Sequence, residues 1–278
     1  MACLLSHPAV RIGAASATKR IVSVCPSNTD LCAHLGILDN VVGRDTWSDW
    51  PEGKVLDGIE VIGPVLNINV RRSVELEPDL ILASLNVPGM ERVVPRLKAT
   101  GLPMVIYDPE TWDDVIANLI DLGERVELSD RATAVVASAL EEVERLQDES
   151  AQLPWIDLCV EWWPDPVIVP KSETYVNQVL SWVKVRNPFR HEEGRSGPVT
   201  LEHVIKKNPD MYSVSWCGTA WKEYNERSVM DRYANSGTKF VQYPNRIFKL
   251  WEGEIGHPSL RLLDGARRVL DQRKRLSI

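Results

Sequence analysis

The feature that most constrains this chain is an alternation of short apolar runs with helical patterns, repeated on either side of one long helix. Apolar runs occupy residues 21–25, 41–43, 80–83 and 104–107, and helical patterns occupy 26–36, 90–100 and 111–122. Strands that alternate with helices form βα units, which place their strands parallel in one sheet. Ser27 or Asn28 can cap the first helix and Gly36 can close it, while Gly101 closes the helix of residues 90–100. Residues 129–150 then carry apolar side chains at Ala132, Val135, Val136, Ala139, Leu140, Val143 and Leu146, a helical period with Ser129 as its cap. Alternation resumes beyond it. Strands are expected at 156–161, 212–216 and 239–242, and helices at 173–185, 201–207, 224–235 and 259–272.

The second half repeats the first. Residues 69–84, centred on Pro78-Asp79, align with residues 200–215, centred on Pro209-Asp210, each as capped helix, Pro-Asp turn and buried strand. Further on, Gly101-x-x-Met-Val-x-Tyr107 aligns with Gly237-x-x-Phe-Val-x-Tyr243. The reading is an α/β protein of two related Rossmann-like lobes with parallel sheets, joined by one long rigid α-helix. Its parts are an N-terminal arm (1–19), a first lobe (20–124), the linking helix (125–152) and a second lobe (153–278). Two facing lobes leave a cleft, and small ligands bind preferentially in such clefts.

Several functions are disfavoured. A formal net charge of −7 repels polyanions, so nucleic acid is not an expected partner. Five Cys without a Cys-x-x-Cys spacing, and five His without helical pairing, predict neither a disulfide framework nor a metal site. No apolar run approaches the roughly 20 residues that span a bilayer. In residues 1–19 the apolar stretch is broken by His7, Pro8 and Arg11 and no basic residue precedes it, so a flexible arm is expected rather than an export signal. Phosphate loops, nucleophile elbows and zinc-protease motifs are absent from the sequence. The adjacent pairs Asp113-Asp114 and Glu192-Glu193 read as solvated faces. Glu161 ends a strand and Asp108 follows one, so a two-lobed α/β enzyme with a cleft carboxylate is the alternative from another class.

The tryptophans say more. The chain has ten Trp against six Tyr and three Phe. Trp47, Trp50, Trp162, Trp163, Trp216, Trp221 and Trp251 fall in loops or at the carboxyl ends of strands, drawn from both lobes, whereas Trp182 lies in a helical pattern. Aromatic rings of this kind suit a large, flat, partly apolar ligand.

These residues resemble a known family. The stretch Arg20-Ile-Val-Ser-Val-Cys-Pro-Ser-Asn-Thr-Asp-Leu, the Val-Val-Gly-Arg run, the Trp-Ser-Asp-Trp-Pro turn and Ser-Val-Glu-Leu-Glu-Pro-Asp-Leu-Ile-Leu-Ala-Ser are similar to helical-backbone (class III) solute-binding proteins of ABC importers. Pro-Lys-Ser-Glu-Thr-Tyr at 170–175 and His-Pro-Ser-Leu-Arg-Leu-Leu-Asp-Gly at 257–265 fit the second lobe. The first-lobe motifs are most like the cobalamin-binding branch. The resemblance implies a non-enzymatic, monomeric, extracytoplasmic receptor that captures a corrinoid such as cobalamin and delivers it to a membrane permease. An iron-siderophore or haem is the alternative ligand, with Tyr175 and His257 as conceivable metal ligands. It implies ligand contacts at Ser27, Asn28, Trp47, Trp50, Trp162, Trp163, Trp216 and Trp251. Two departures stand out. Gly63-Pro64-Val65 replaces a loop Trp of the cobalamin branch, and a second such Trp aligns near Ser84. The two transporter-docking positions, usually acidic, are Arg71 and Glu202, so docking on a transporter that expects two acids should be weak.

Overall fold

A computed structural model describes residues 19–51 and 54–278. The arm of residues 1–18 lies outside them. The first lobe runs β1 (Ile21–Ser23), α1 (Pro26–His34), β2 (Val41–Arg44), β3 (Glu60–Val61), α2 (Val70–Glu75), β4 (Leu80–Ser84), α3 (Val94–Lys98), β5 (Met104–Tyr107) and α4 (Trp112–Arg125). The linking helix is α5 (Ser129–Ser150). The second lobe begins with β6 (Ile156–Glu161), β7 (Trp163–Pro164), β8 (Val167–Pro170), α6 (Val176–Ser181), β9 (Val185–Arg186) and β10 (Ser196–Val199). It continues with α7 (Leu201–Lys207), β11 (Met211–Val214), α8 (Glu226–Tyr233), α9 (Lys239–Gln242), β12 (Ile247–Lys249), α10 (Glu252–Ile255) and α11 (Leu262–Leu276).

Each lobe has a parallel sheet. The first is ordered β3-β2-β1-β4-β5 and the second β12-β11-β6-β9. Setting β1, β2, β4 and β5 against β6, β9, β11 and β12 gives the same strand order in both lobes. The Pro-Asp turns are equivalent in detail. The Asp79 carboxylate accepts from the Arg20 amide at 2.7 Å, and the Asp210 carboxylate accepts from the Asp157 amide at 2.9 Å. In each case the Asp amide bonds back to the carbonyl of that same residue, 2.8 Å away. One Asp thus joins the first strand of its lobe to the strand that follows the turn. Asn69 and Thr200 cap the preceding helices through the amides of Arg72 and His203.

Three hydrophobic clusters fill the molecule. One covers a face of each sheet and is continuous through α4, α5 and α11, so the two lobes share a core beneath the linking helix. The others cover the opposite sheet faces, one per lobe. At the α4–α5 corner, Gly123 lets the helices close up: a Cβ there would stand 2.4 Å from that of Ala132.

The structure corrects several local expectations. Residues 239–242, expected as a strand, form the short helix α9, and the edge strand is β12 at 247–249. The second anchor of the repeat therefore pairs a strand with a helix. Thr238 starts α9, and the Lys239 amide bonds the Asn208 side chain at 3.0 Å, which draws the segment off the sheet edge. The helix expected over 173–185 is only α6, because residues 185–186 turn into β9 beside β6. The helix of 90–100 is split into a 3₁₀ turn (Met90–Arg92) and α3, with Pro95 in the first turn of α3. Cys25 occupies the N-cap position of α1, with Pro26 first in the helix, so neither Ser27 nor Asn28 caps it. Leu128, not Ser129, precedes α5. A three-stranded antiparallel sheet, β10-β8-β7, was not anticipated, and it forms one wall of the site.

Candidate ligand cleft

In an open parallel sheet, ligands bind outside the carboxyl ends of the strands, where the strand order reverses. Both lobes obey this rule. A cavity of about 510 Å³ lies between them, bordered by residues just after β1 (Cys25, Pro26, Ser27), β4 (Asn86, Val87, Pro88) and β5 (Pro109). The second lobe contributes residues just after β6 (Trp162, Trp163), β11 (Cys217, Gly218) and β12 (Glu252). Trp163, Ile168 and Ser196 come from the antiparallel sheet. The departure at 63–65 is also part of the wall, as Pro64, Val65 and the half-exposed Leu66 line it. That side of the first lobe is aliphatic where the cobalamin branch is expected to carry Trp.

Trp47 and Trp163 are each 41% exposed and stand on opposite lobes at the cavity. Trp47 is held by a buried polar network. Asp45 accepts from the Trp47 amide at 2.7 Å and the Ser48 amide at 3.1 Å, and Ser48 also donates to the Asp45 carboxylate. Ser48 continues to Thr29 at 2.8 Å, and Thr29 to Ser23 at 2.8 Å, so the loop is tied to α1 and β1. Burial pushes the Asp45 carboxyl up to about 6, against the pull of the Ser48 hydroxyl and the Trp47 amide. Trp162 is partly buried, and its indole N–H has no hydrogen-bond partner among the described residues. A buried donor of this kind is costly unless something pairs with it.

The other expected contacts lie elsewhere. Asn28 is buried and its amide donates to the Ala83 carbonyl at 3.0 Å, which fastens α1 to β4. Trp50 packs on His34 with ring centres 4.7 Å apart, under the Arg261 guanidinium at 5.4 Å. Trp216 donates to Glu161 at 2.8 Å and packs into the second-lobe core. Trp251 stacks on Tyr224 and meets Trp221 edge-on. None of these four lines the cavity. Of the expected set, the cleft brings together Ser27, Trp47, Trp162 and Trp163.

The carboxylates proposed for an enzyme are occupied. Glu161 is fully buried off the cavity and accepts from Trp216, Tyr212 and twice from Arg232. Asp108 bonds Arg195 of the other lobe, which also bonds Glu110 at 2.6 Å. The two conceivable metal ligands are engaged too. The Tyr175 hydroxyl donates to the Gly256 carbonyl at 2.5 Å, and burial pushes its ionisation well up. His257 lies 3.6 Å from Asp30 and 3.8 Å from Glu252. Burial opposes its charge, but these two carboxylates outweigh burial and hold its pKa near 10. Among the described residues, no group of three or more His, Cys, Asp or Glu could hold a metal ion, and no helix is long and apolar enough to cross a membrane.

Sequence reasoning missed Arg195, Glu252 and the thiols Cys25 and Cys217. The thiols and Glu252 were within reach of the strand-end rule. Arg195 sits in a stretch with no periodic signal, before a strand that was not anticipated.

The two positions expected to dock on a transporter, Arg71 and Glu202, lie on equivalent short helices. Arg71 is 89% exposed on α2 and pairs with Glu75 at 2.7 Å. Beside it Arg72 pairs with Glu60 and Glu75, so the patch mixes both signs. Glu202 is exposed in the first turn of α7.

Comparison with known proteins agrees with this architecture. An uncharacterized ABC transporter substrate-binding lipoprotein of Bacillus subtilis is 27% identical over 69% of this chain, which spans 62% of that protein's length. A vitamin B12-binding protein of Yersinia pestis is 27% identical over 72% of this chain and 71% of its own. Among solved structures, the periplasmic vitamin B12-binding protein of Vibrio cholerae superposes with a TM-score of 0.75 at 21% identity, covering 92% of this chain and 96% of that one. A periplasmic heme-binding protein from Roseiflexus superposes at 0.79 with 17% identity, covering 92% and 97%. These likenesses establish the two-lobed fold. Residues 21–249 match the periplasmic binding protein family, and the chain belongs to that family.

Proposed function

We propose that this protein is an extracytoplasmic receptor that holds a corrinoid, such as cobalamin, in the interlobe cleft and presents it to an ABC importer. The carrying observation is the pairing of a mostly apolar cavity with three Trp from both lobes, Trp47, Trp162 and Trp163. Aromatic faces on both sides of a slot suit a flat macrocycle, and a few polar groups then set its orientation. Ser27 and Ser196 in the lining supply such groups. The B12-binding relative supports the ligand class.

Haem fits the fold equally well, but the state of the lining favours a corrinoid. Haem iron is commonly held by a protein His, Tyr, Met or Cys. Here Tyr175 stays a bound phenol, His257 stays an imidazolium between two acids, and burial pushes the lining thiols Cys25 and Cys217 well up, away from the thiolate that would hold iron. A corrinoid can bring its own axial ligands and needs neither.

Delivery would use the exposed faces of α2 and α7. Arg71 and Glu202 are the proposed contacts, and Arg71 should impair docking on a transporter built for two acids. A rim charge acts mainly on association rate and salt dependence. Arg71→Glu should therefore speed association with such a transporter in surface plasmon resonance. Tight wild-type binding that Arg71→Glu weakens would reverse this reading.

The test of the ligand is calorimetry with cyanocobalamin, dicyanocobinamide, haemin and ferric siderophores. The corrinoids should bind one to one. Haemin binding with corrinoids inert would overturn the assignment.

A further inference from the structure

Two cationic side chains are found among the described residues of the cavity lining, and each faces two carboxylates. Arg195 reaches from the start of β10 to the first lobe. Its Nη2 lies 3.1 Å from Asp108 Oδ2 and 2.6 Å from Glu110 Oε1, and its Nε lies 3.0 Å from Glu110. His257 lies between Asp30 and Glu252. Glu173 adds a further acid to the lining. The guanidinium fork that would otherwise grip a ligand carboxylate is thus filled from within the protein. The two acids that fill it come from the loop between β5 and α4, across the cleft.

We infer that this cleft is built to refuse anionic ligands, with Asp108 and Glu110 holding Arg195 out of use, and to accept rings edged by neutral amides. This rests on the reading of the cleft as a macrocycle site and narrows it by charge. A carboxylate brought to this wall would meet a cation already paired with two acids, and would be repelled by them. An amide edge carries no such penalty. Arg195 is therefore a specificity residue by being neutralised, and its partners are specificity residues by neutralising it. Bidentate Arg–carboxylate pairing is strong and geometrically exacting, so the released fork would be a ready site for a ligand acid.

The test uses the full chain and matched ligands that differ only in edge charge. The heptaamide of dicyanocobyrinic acid is compared with dicyanocobyrinic acid itself, the same ring with carboxylates in place of amides. Haemin and its neutral bis-amide form a second pair. The proteins are the wild type, Asp108→Asn/Glu110→Gln, and that double variant with Arg195→Gln added. Asp108 and Glu110 side chains are 38% and 44% exposed, so the substitutions leave the core intact, and thermal melting checks this. The wild type should prefer the amide ring by roughly tenfold or more, the scale of one charge-assisted hydrogen bond. The double variant should gain about tenfold on the carboxylate ring, and the triple variant should lose that gain. Equal wild-type affinity for both edges, or a gain that persists without Arg195, would overturn the inference. If only the haem pair binds and follows this pattern, the corrinoid reading falls and the charge selection stands. No binding of any ligand to any of the three proteins would overturn both.

Discussion

At the scale of single residues, Trp47, Trp162 and Trp50 have different surroundings and should fail differently. Trp47→Ala and Trp162→Ala remove rings that line the cavity, and each should weaken ligand binding by about 1–3 kcal/mol. Loss of the exposed Trp47 should leave the melting temperature nearly unchanged, whereas loss of Trp162, packed against the core, should lower it as well. Trp50→Ala uncovers His34 and Arg261, so it should lower stability by roughly 1–3 kcal/mol and leave affinity nearly unchanged. Calorimetric titration and denaturant melts of the three variants separate the two outcomes. The loop and strand-end positions of these Trp were legible in the sequence. Which rings would face the cleft was not. Trp216 and Trp251 also follow strands, but Glu161, Tyr224 and Trp221 claim them, and those partners come from distant segments.

His257 gives a residue-scale prediction in pH. Its folded pKa, near 10, lies above the ordinary 6.5. The folded state therefore holds its proton more tightly, and this stabilisation is full below about pH 6.5 and lost as pH rises toward 10. Cys25 and Cys32, pushed by burial from 9.0 to about 12, add a like loss only at higher pH. Between pH 6.5 and 9 the decline should thus belong mainly to His257, at roughly 1–3 kcal/mol. Urea unfolding of wild type should show that slope, and His257→Gln should flatten it. An equal slope in both would refute the assignment.

At the scale of elements, the βα alternation, the linking helix and the strands of 104–107 and 156–161 were readable because their patterns are long or bounded by clear turn residues. The failures share a physical cause. Lys239-Phe-Val-Gln has strand-like composition, yet the polar tie to Asn208 and the start at Thr238 make it a helix. Short β-like runs are decided by tertiary partners, not by propensity. The antiparallel sheet carrying Trp163 and Ser196 is made of strands two to four residues long, below what alternation can signal. Gly123 gave no signal either, since its role is contact with Ala132 across the α4–α5 corner. Gly123→Ala should force those helices apart and destabilise the protein by roughly 1–3 kcal/mol, measurable by chemical denaturation. An unchanged midpoint would show that the corner relaxes freely.

At the scale of the whole molecule, the lobes are joined by more than the linking helix. A shared core runs beneath α5, Ser259 donates to Asp30 at 3.0 Å, the Trp112 amide donates to Gln178 at 3.0 Å, and Arg195 spans the cleft. Such contacts oppose a wide hinge motion. The radius of gyration in small-angle scattering should change by less than about 2% on ligand binding, and a fall of several per cent would indicate a closing hinge. The central claim is that this cleft holds a flat macrocycle against Trp from both lobes, and it is tested most directly by titrating the protein with cyanocobalamin while recording tryptophan fluorescence. The account predicts saturable one-to-one quenching, weakened in both Trp47→Ala and Trp162→Ala. Absence of quenching, or quenching that neither substitution alters, would contradict it.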